Sequence, residues 1–206
     1  METVPNSAPA VESTVNTERP KLHQRGYGRE ILETIILIAA IYALVNLATV
    51  RFIVDGPSMQ PTFFTGQVLM ITRVNYLFGS PQRGQIIVFN APGNPPDEPP
   101  YIKRVIGLPG ETVEIRDTKV YINGKELNEP YINEPCEPGR CPNKTWQLGT
   151  DQYFFMGDNR NHSSDSRAFG VVPLNRVIGE AVVRYWPPQN WGLVGTSRYP
   201  DNAFVQ

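Results

Sequence analysis

The sequence predicts a mainly β or all-β domain of short antiparallel strands behind one N-terminal membrane-spanning helix. Three observations carry this. From residue 55 onward, apolar residues recur in short β-branched and aromatic runs bounded by Gly, Pro, Asn or Asp. No amphipathic helical period of about 12 residues interrupts them. Ahead of them lies a single long apolar run, 31–54. The 206 residues, 40% hydrophobic, suffice for one sizeable core. The expected organisation is a disordered tail over 1–30, a transmembrane anchor over 31–54 and an outer β domain over 55–206.

The tail holds Pro, Ser, Thr, Asn and Glu with no apolar period, a composition that cannot bury enough surface to fold. The run ILETIILIAAIYALVNLATVRFIV follows, with no charge between Glu33 and Arg51. Its 24 residues reach about 36 Å as a helix, enough to cross a bilayer if Glu33 and Arg51 snorkel at the ends. A cleaved signal peptide fits worse, because such a peptide is complete within about 30 residues. A buried core helix also fits worse, because the run is apolar around its whole circumference, Asn46 and a few Thr excepted. Arg19, Lys21, Arg25 and Arg29 precede the span and Arg51 alone follows closely. The positive-inside tendency puts the tail in the cytoplasm and the β domain outside.

The predicted strands are QVLMITRV (67–74), GQIIVF (84–89), YIKRVIG (101–107), ETVEIRD (111–117), KVYING (119–124), QYFFMG (152–157) and VIGEAVVRYW (177–186). Asp117-Thr118 and Asn123-Gly124 read as consecutive tight turns. The loop 90–100 carries five prolines and is excluded from any central strand. Residues 125–151 form an insertion around Cys136 and Cys141.

Lys and Arg number 19 against 20 Asp and Glu, a net charge of −1 with no basic stripe, which argues against a nucleic-acid partner. In an oxidising outer compartment Cys136 and Cys141 are expected as a disulfide, with two free thiols as the alternative. A metal site lacks ligands, since His23 and His162 are the only histidines. No metal and no organic cofactor is implied.

Three segments concentrate reactive residue types. In VDGPSMQPT (54–62), Ser58 lies among turn-forming Gly and Pro, a setting that alone marks only a turn. In YIKRVIGLPGE (101–111), Lys103 alternates along an apolar strand face with Tyr101 and Val105. An edge-strand lysine that blunts aggregation is the plain reading. A buried lysine tuned to neutral pH is the chemical one, at a cost of about 4–5 kcal/mol. In MGDNRNHSSDSRAFG (156–170), hydroxyls, carboxylates and guanidiniums crowd one loop after a strand, where function concentrates.

The ordered runs GPSMQPT, RGQIIVF (83–89), YIKRVIGLPGE and GDNRNHSSDSR resemble type I signal peptidase (leader peptidase), with GEAVVRYWP (179–187) as a closing strand. They span most of 51–170. The single span and polar tail are most similar to the cyanobacterial or plastid forms. The resemblance implies a signal-peptidase-like catalytic β domain and a membrane-bound serine endopeptidase that removes signal peptides from exported preproteins after small residues, Ala-x-Ala-like. It sits in the plasma or thylakoid membrane, with preproteins and the bilayer as partners and no obligate protein partner.

Residue by residue, the resemblance makes Ser58 the nucleophile and Lys103 the general base. Ser163 orients the lysine, and Asp165 and Arg167 support the loop, with Asp158 and Asn159 as scaffold. Met59, Ile86, Tyr101 and Ile102 are expected to line the substrate pockets. The backbone N–H of Ser58 is one oxyanion donor. Where some members place a serine hydroxyl two residues before the nucleophile, this chain has Gly56, so the second donor is unassigned. Phe63, Phe64, Tyr76, Phe78, Trp186 and Trp191 are expected either at the bilayer interface or in the core. Three rivals remain: a Ser58–His162 triad with Asp158 or Asp165, a phage-repressor-type Ser–Lys autoprotease, and a non-enzymatic tethered binding domain.

Overall fold

A computed structural model describes residues 27–195, except 75, 77, 78 and 96, together with residue 204. Residues 1–26 of the expected tail, His23 among them, and Phe78 lie outside the described residues, and the last four residues of that tail, 27–30, are helical rather than disordered.

Helix α1 (Tyr27–Ala48) has 22 residues, about 33 Å by the α-helical rise, and every residue before Ala48 is at least partly exposed. Its polar side chains are satisfied locally, as an apolar medium demands. Thr34 Oγ1 donates to the Glu30 carbonyl at 2.8 Å and Asn46 Nδ2 to the Tyr42 carbonyl at 2.9 Å. The helix ends six residues before the expected anchor does. Residues Thr49–Ile53 instead form strand β1, paired antiparallel with the strand over Val68–Thr72. The correction has a local cause: TVRFI is β-branched and aromatic, and a neighbouring strand completes its ladder.

The remaining strands follow in order: β2 (Val68–Thr72), β3 (Ile86–Phe89), β4 (Tyr101–Gly107), β5 (Thr112–Arg116), β6 (Lys119–Ile122), β7 (Lys125–Glu126), β8 (Lys144–Gln147), β9 (Gln152–Met156), β10 (Val172–Pro173), β11 (Val177–Trp186) and β12 (Gly192–Leu193). Eight strands make one sheet in the order β1-β2-β11-β3-β4-β9-β10, with β12 on β11, and four make a second in the order β7-β6-β5-β8. All pairings are antiparallel. The domain is mainly β, as the sequence predicts.

Both tight turns form where expected. Asp117 and Thr118 have φ of 49° and 67°, and Asn123 and Gly124 have φ of 50° and 81°, the sign pattern of primed hairpin turns. Strands β1, β7, β8, β10 and β12 were not among those predicted. β8 forms inside the insertion, where Lys144–Gln147 completes the edge of β5.

Apolar alternation assigns each face of the first sheet its own core. Ile86, Val88 and Ile102 pack with Val54, Met59, Phe63, Leu69 and Ile71 under the Ser58 loop. Ile87, Phe89 and Val105 pack on the other face with Tyr153 and Phe155. The second sheet closes over Ile106, Phe154 and Met156 with Val113, Ile115, Val120 and Ile122, and this core includes Cys136 and Cys141. Those two cysteines are joined in a disulfide.

Candidate active site

Two elements far apart in sequence meet at one end of β4. The Ser58 loop follows β1 and is anchored from below by Met59, whose side chain is wholly buried. Lys103 projects from β4 between β3 and the end of β9, where Ile87 is its Cα partner. Its Nζ lies 2.8 Å from Ser58 Oγ and donates to the Ile102 carbonyl at 2.9 Å. The Tyr101 ring centroid lies 5.3 Å from Nζ. No carboxylate forms an ion pair with Lys103 among the described residues, and only 3% of it is exposed. Burial therefore disfavours the ammonium and lowers its pKa from 10.5 to about 8, although Asp165 and Asp158 pull the other way. About a tenth of the lysine is then neutral at pH 7, against about 0.03% for an unperturbed one.

The loop after β9 holds this pair in place through backbone and ion pairs. The Asn159 amide donates to the Ser58 carbonyl at 3.1 Å. Gly157 is required by close approach: a Cβ there would collide with Ser163 Oγ and with the Ser58 carbonyl. Asp165 caps the short helix α2 (Ser166–Phe169) and accepts from the Gly157 amide at 3.0 Å. Burial would raise its pKa, but the two-pronged Arg167 guanidinium, at 2.8 Å on each oxygen, and the Gly157 amide hold it below the usual carboxylate range. Arg167 also donates to Cys141 Sγ at 3.1 Å and to Cys136 Sγ at 3.4 Å, so the disulfide loop braces the same arm.

Asp158 is committed elsewhere. Arg104, beside Lys103 on β4, grips it with Nε at 2.8 Å and Nη2 at 2.6 Å, and Thr62 Oγ1 donates to it as well. This buried pair ties β4, the Ser58 loop and the 157–165 loop together.

A cleft of about 330 Å³ opens beside Ser58 and Lys103. Phe52 and Ile53 from β1 line it, together with residues 98–102, which run into β4.

The family described as "Signal peptidase, peptidase S26" matches residues 28–186. The chain belongs to the signal peptidase family. Signal peptidase I of Leptolyngbya laminosa is 42% identical over 154 residues, covering 72% of this chain and 74% of that protein. Probable signal peptidase I-2 of Synechocystis sp. is 38% identical, covering 81% of this chain and 75% of its own. Signal peptidase IB of Staphylococcus aureus strain COL is 34% identical over 77% of this chain and 91% of that one. A crystal structure of a signal peptidase I from Enterococcus faecalis V583 is 39% identical, covers 49% of this chain and 96% of its own, and has a TM-score of 0.43. As a member of the signal peptidase family the protein is a serine endopeptidase, and with helix α1 it is membrane-bound.

Ser58, Lys103, Asp165 and Arg167 come together in this signal peptidase fold. Ser163 arrives beside them, its hydroxyl buried and close enough to Asp165 to help hold that carboxylate ionised. Tyr101 and Ile102 line the cleft, whereas Met59 and Ile86 do not: both are wholly buried in the core beneath it. They anchor the wall from behind, and Phe52 and Ile53 take their place. The missing signal was strand β1, whose inclusion in the anchor hid one wall of the cleft. The histidine triad is not assembled. Asp158 is held by Arg104, Asp165 by Arg167, and Ser58 Oγ contacts Lys103. His162 lies exposed on the loop.

Among the aromatic residues, Phe63 is core, 2% exposed, and Tyr76 packs partly against the third core, its hydroxyl donating to Gln85 Oε1 at 3.0 Å. Phe64, Trp186 and Trp191 remain exposed.

Proposed function

We propose that this protein removes signal peptides from exported preproteins by a Ser58–Lys103 dyad. The observation that carries the reading is the 2.8 Å contact between a nearly fully buried amine and a serine hydroxyl at the edge of an open cleft. The neutral amine accepts the hydroxyl proton as Oγ attacks the scissile carbonyl. The resulting ammonium gives that proton to the departing amino group, leaving an acyl-enzyme. Water then attacks the ester with Lys103 again as base, releasing the carboxylate product and free Ser58. The Ser58 amide, engaged in no hydrogen bond among the described residues, is the first oxyanion donor. Gly56 offers only backbone, at φ 80°. Ser163 is the lysine-positioning hydroxyl of this scheme: it is buried and crowds the same face of Gly157 as the Ser58 carbonyl.

An extended substrate lies beside β4, with its small residues over Tyr101 and Ile102 and against Phe52 and Ile53. The tail is cytoplasmic and the β domain faces the periplasm or lumen of a plasma or thylakoid membrane, following the Lys/Arg asymmetry about α1. Exposed Phe64, Trp186 and Trp191 meet the bilayer interface.

The test is cleavage of a purified preprotein by the full chain in detergent. Ser58→Ala and Lys103→Ala lose activity, His162→Ala keeps it, and kcat/KM rises with pH to an inflection near 8, the value for Lys103. Wild-type rates from Ser58→Ala would overturn the dyad. Loss in His162→Ala alone would restore the triad.

A further inference from the structure

We propose that Asp55 and Glu98 select substrates carrying lysine or arginine at the second or fourth residue before the scissile bond. The inference rests on the reading of this cleft as the signal-peptide site and goes further, to a charge preference. Both carboxylates line the cleft beside Ser58 and Lys103, and both side chains are exposed. They come from separate segments: Asp55 lies two residues past the end of β1, and Glu98 three residues before β4.

Neither carboxylate accepts a hydrogen bond or forms an ion pair among the described residues, so a visiting cation displaces nothing. No other basic residue lines the cleft except Lys103, whose amine is sequestered against Ser58 Oγ. The cleft thus carries two unpaired carboxylates among its lining residues.

Strand geometry then assigns the positions. Side chains of an extended chain alternate faces, so the small residues one and three before the cut share one face, against Phe52, Ile53, Tyr101 and Ile102. Residues two and four share the other face, free of the demand for a small side chain, and a long basic side chain there reaches the exposed carboxylates of Asp55 and Glu98. Exposed pairs of this kind are each worth about two- to fivefold in an equilibrium, and salt screens them. The two exposed carboxylates make the intervening position sensitive to charge.

The experiment uses the full-length enzyme in detergent and peptides that differ only in Lys, Gln or Glu at the second residue before the cut, with a parallel set at the fourth. The expected kcat/KM ratio of Lys to Glu peptide is about five to twenty at low ionic strength in at least one set, falling toward one near 1 M salt. In the Asp55→Asn/Glu98→Gln double variant that ratio falls toward one at low salt as well. A wild-type ratio of one or less in both sets, or a ratio unchanged in the double variant, overturns the selection. Failure of the wild type to cut the Gln peptides overturns the signal-peptidase reading of the cleft itself, and the selection with it.

Discussion

Replacing Lys103 with methionine removes activity and makes the stability of the protein less dependent on pH in a calculable way. In the native state the lysine titrates at about 8, against 10.5 as its ordinary value. Folding therefore expels a proton between those two pH values, and the wild type gains stability as pH rises through that window. Below pH 8 the buried ammonium costs about 3 kcal/mol relative to a normal lysine, the full difference between the two values. Methionine has a similar length and no charge, so the variant escapes this cost. It forfeits the contacts to Ser58 Oγ and to the Ile102 carbonyl, roughly 1 kcal/mol each. At pH 7 the variant should equal the wild type or exceed it by about 1 kcal/mol, while its activity is lost.

The sharper quantity is the difference in unfolding free energy between the two proteins as a function of pH, in which all other titrating groups cancel. Between pH 7 and 9.5 the wild type should gain about 2 kcal/mol on Lys103→Met, by linkage through the two lysine pKa values. Denaturant unfolding in detergent, followed by tryptophan fluorescence at four or five pH values, measures it. A difference that stays flat across this window would refute the reasoning. It would mean that the native lysine is as protonated as the unfolded one, and a general base of another kind would be needed.

Two further outcomes follow from the supports of the dyad. Gly157→Ala places a methyl against the Ser58 carbonyl and Ser163 Oγ; kcat/KM should fall about a hundredfold, with a stability loss of about 1–3 kcal/mol. Steady-state kinetics beside a denaturation curve checks both, and unaltered kcat/KM would show that the nucleophile tolerates displacement. Replacing Cys136 and Cys141 together by serine frees a short loop and should cost about 2 kcal/mol in the same unfolding assay. It should also reduce turnover several-fold, because Arg167 loses both sulfur contacts while keeping Asp165.

The legibility of the fold in the sequence varied with how local each signal was. β4 was read to the residue because its β-branched core is bounded by Pro100 and by Leu108-Pro109. The paired hairpin turns were legible because left-handed backbone admits few residue types, and Asn123-Gly124 is among the strongest of them. β1 was missed because Thr49–Ile53 continues an apolar run without a break, and hydrophobicity alone does not separate the end of a helix from the start of a strand. β8 was missed because KTWQ owes its strand conformation to β5, a partner almost thirty residues earlier.

The same division runs through the site. Sequence alone determined which chemistry was available: a serine in a rigid turn, a lysine on an apolar strand face and a loop dense in hydroxyls and charges, in a recognisable order. It also determined the apolar helix, since spanning depends on length and composition. Only the tertiary structure decided which of these residues meet. Ser58 and Lys103 are 45 positions apart, and antiparallel pairing among β1, β2, β11, β3 and β4 brings them to 2.8 Å. It decided that Met59 and Ile86 face the core and Phe52 and Ile53 the cleft, because burial is a property of what lies on either side of a strand. Lysine chemistry, too, was settled there. The amine becomes a base through loss of water around it, and water is excluded only when distant segments close over the same point.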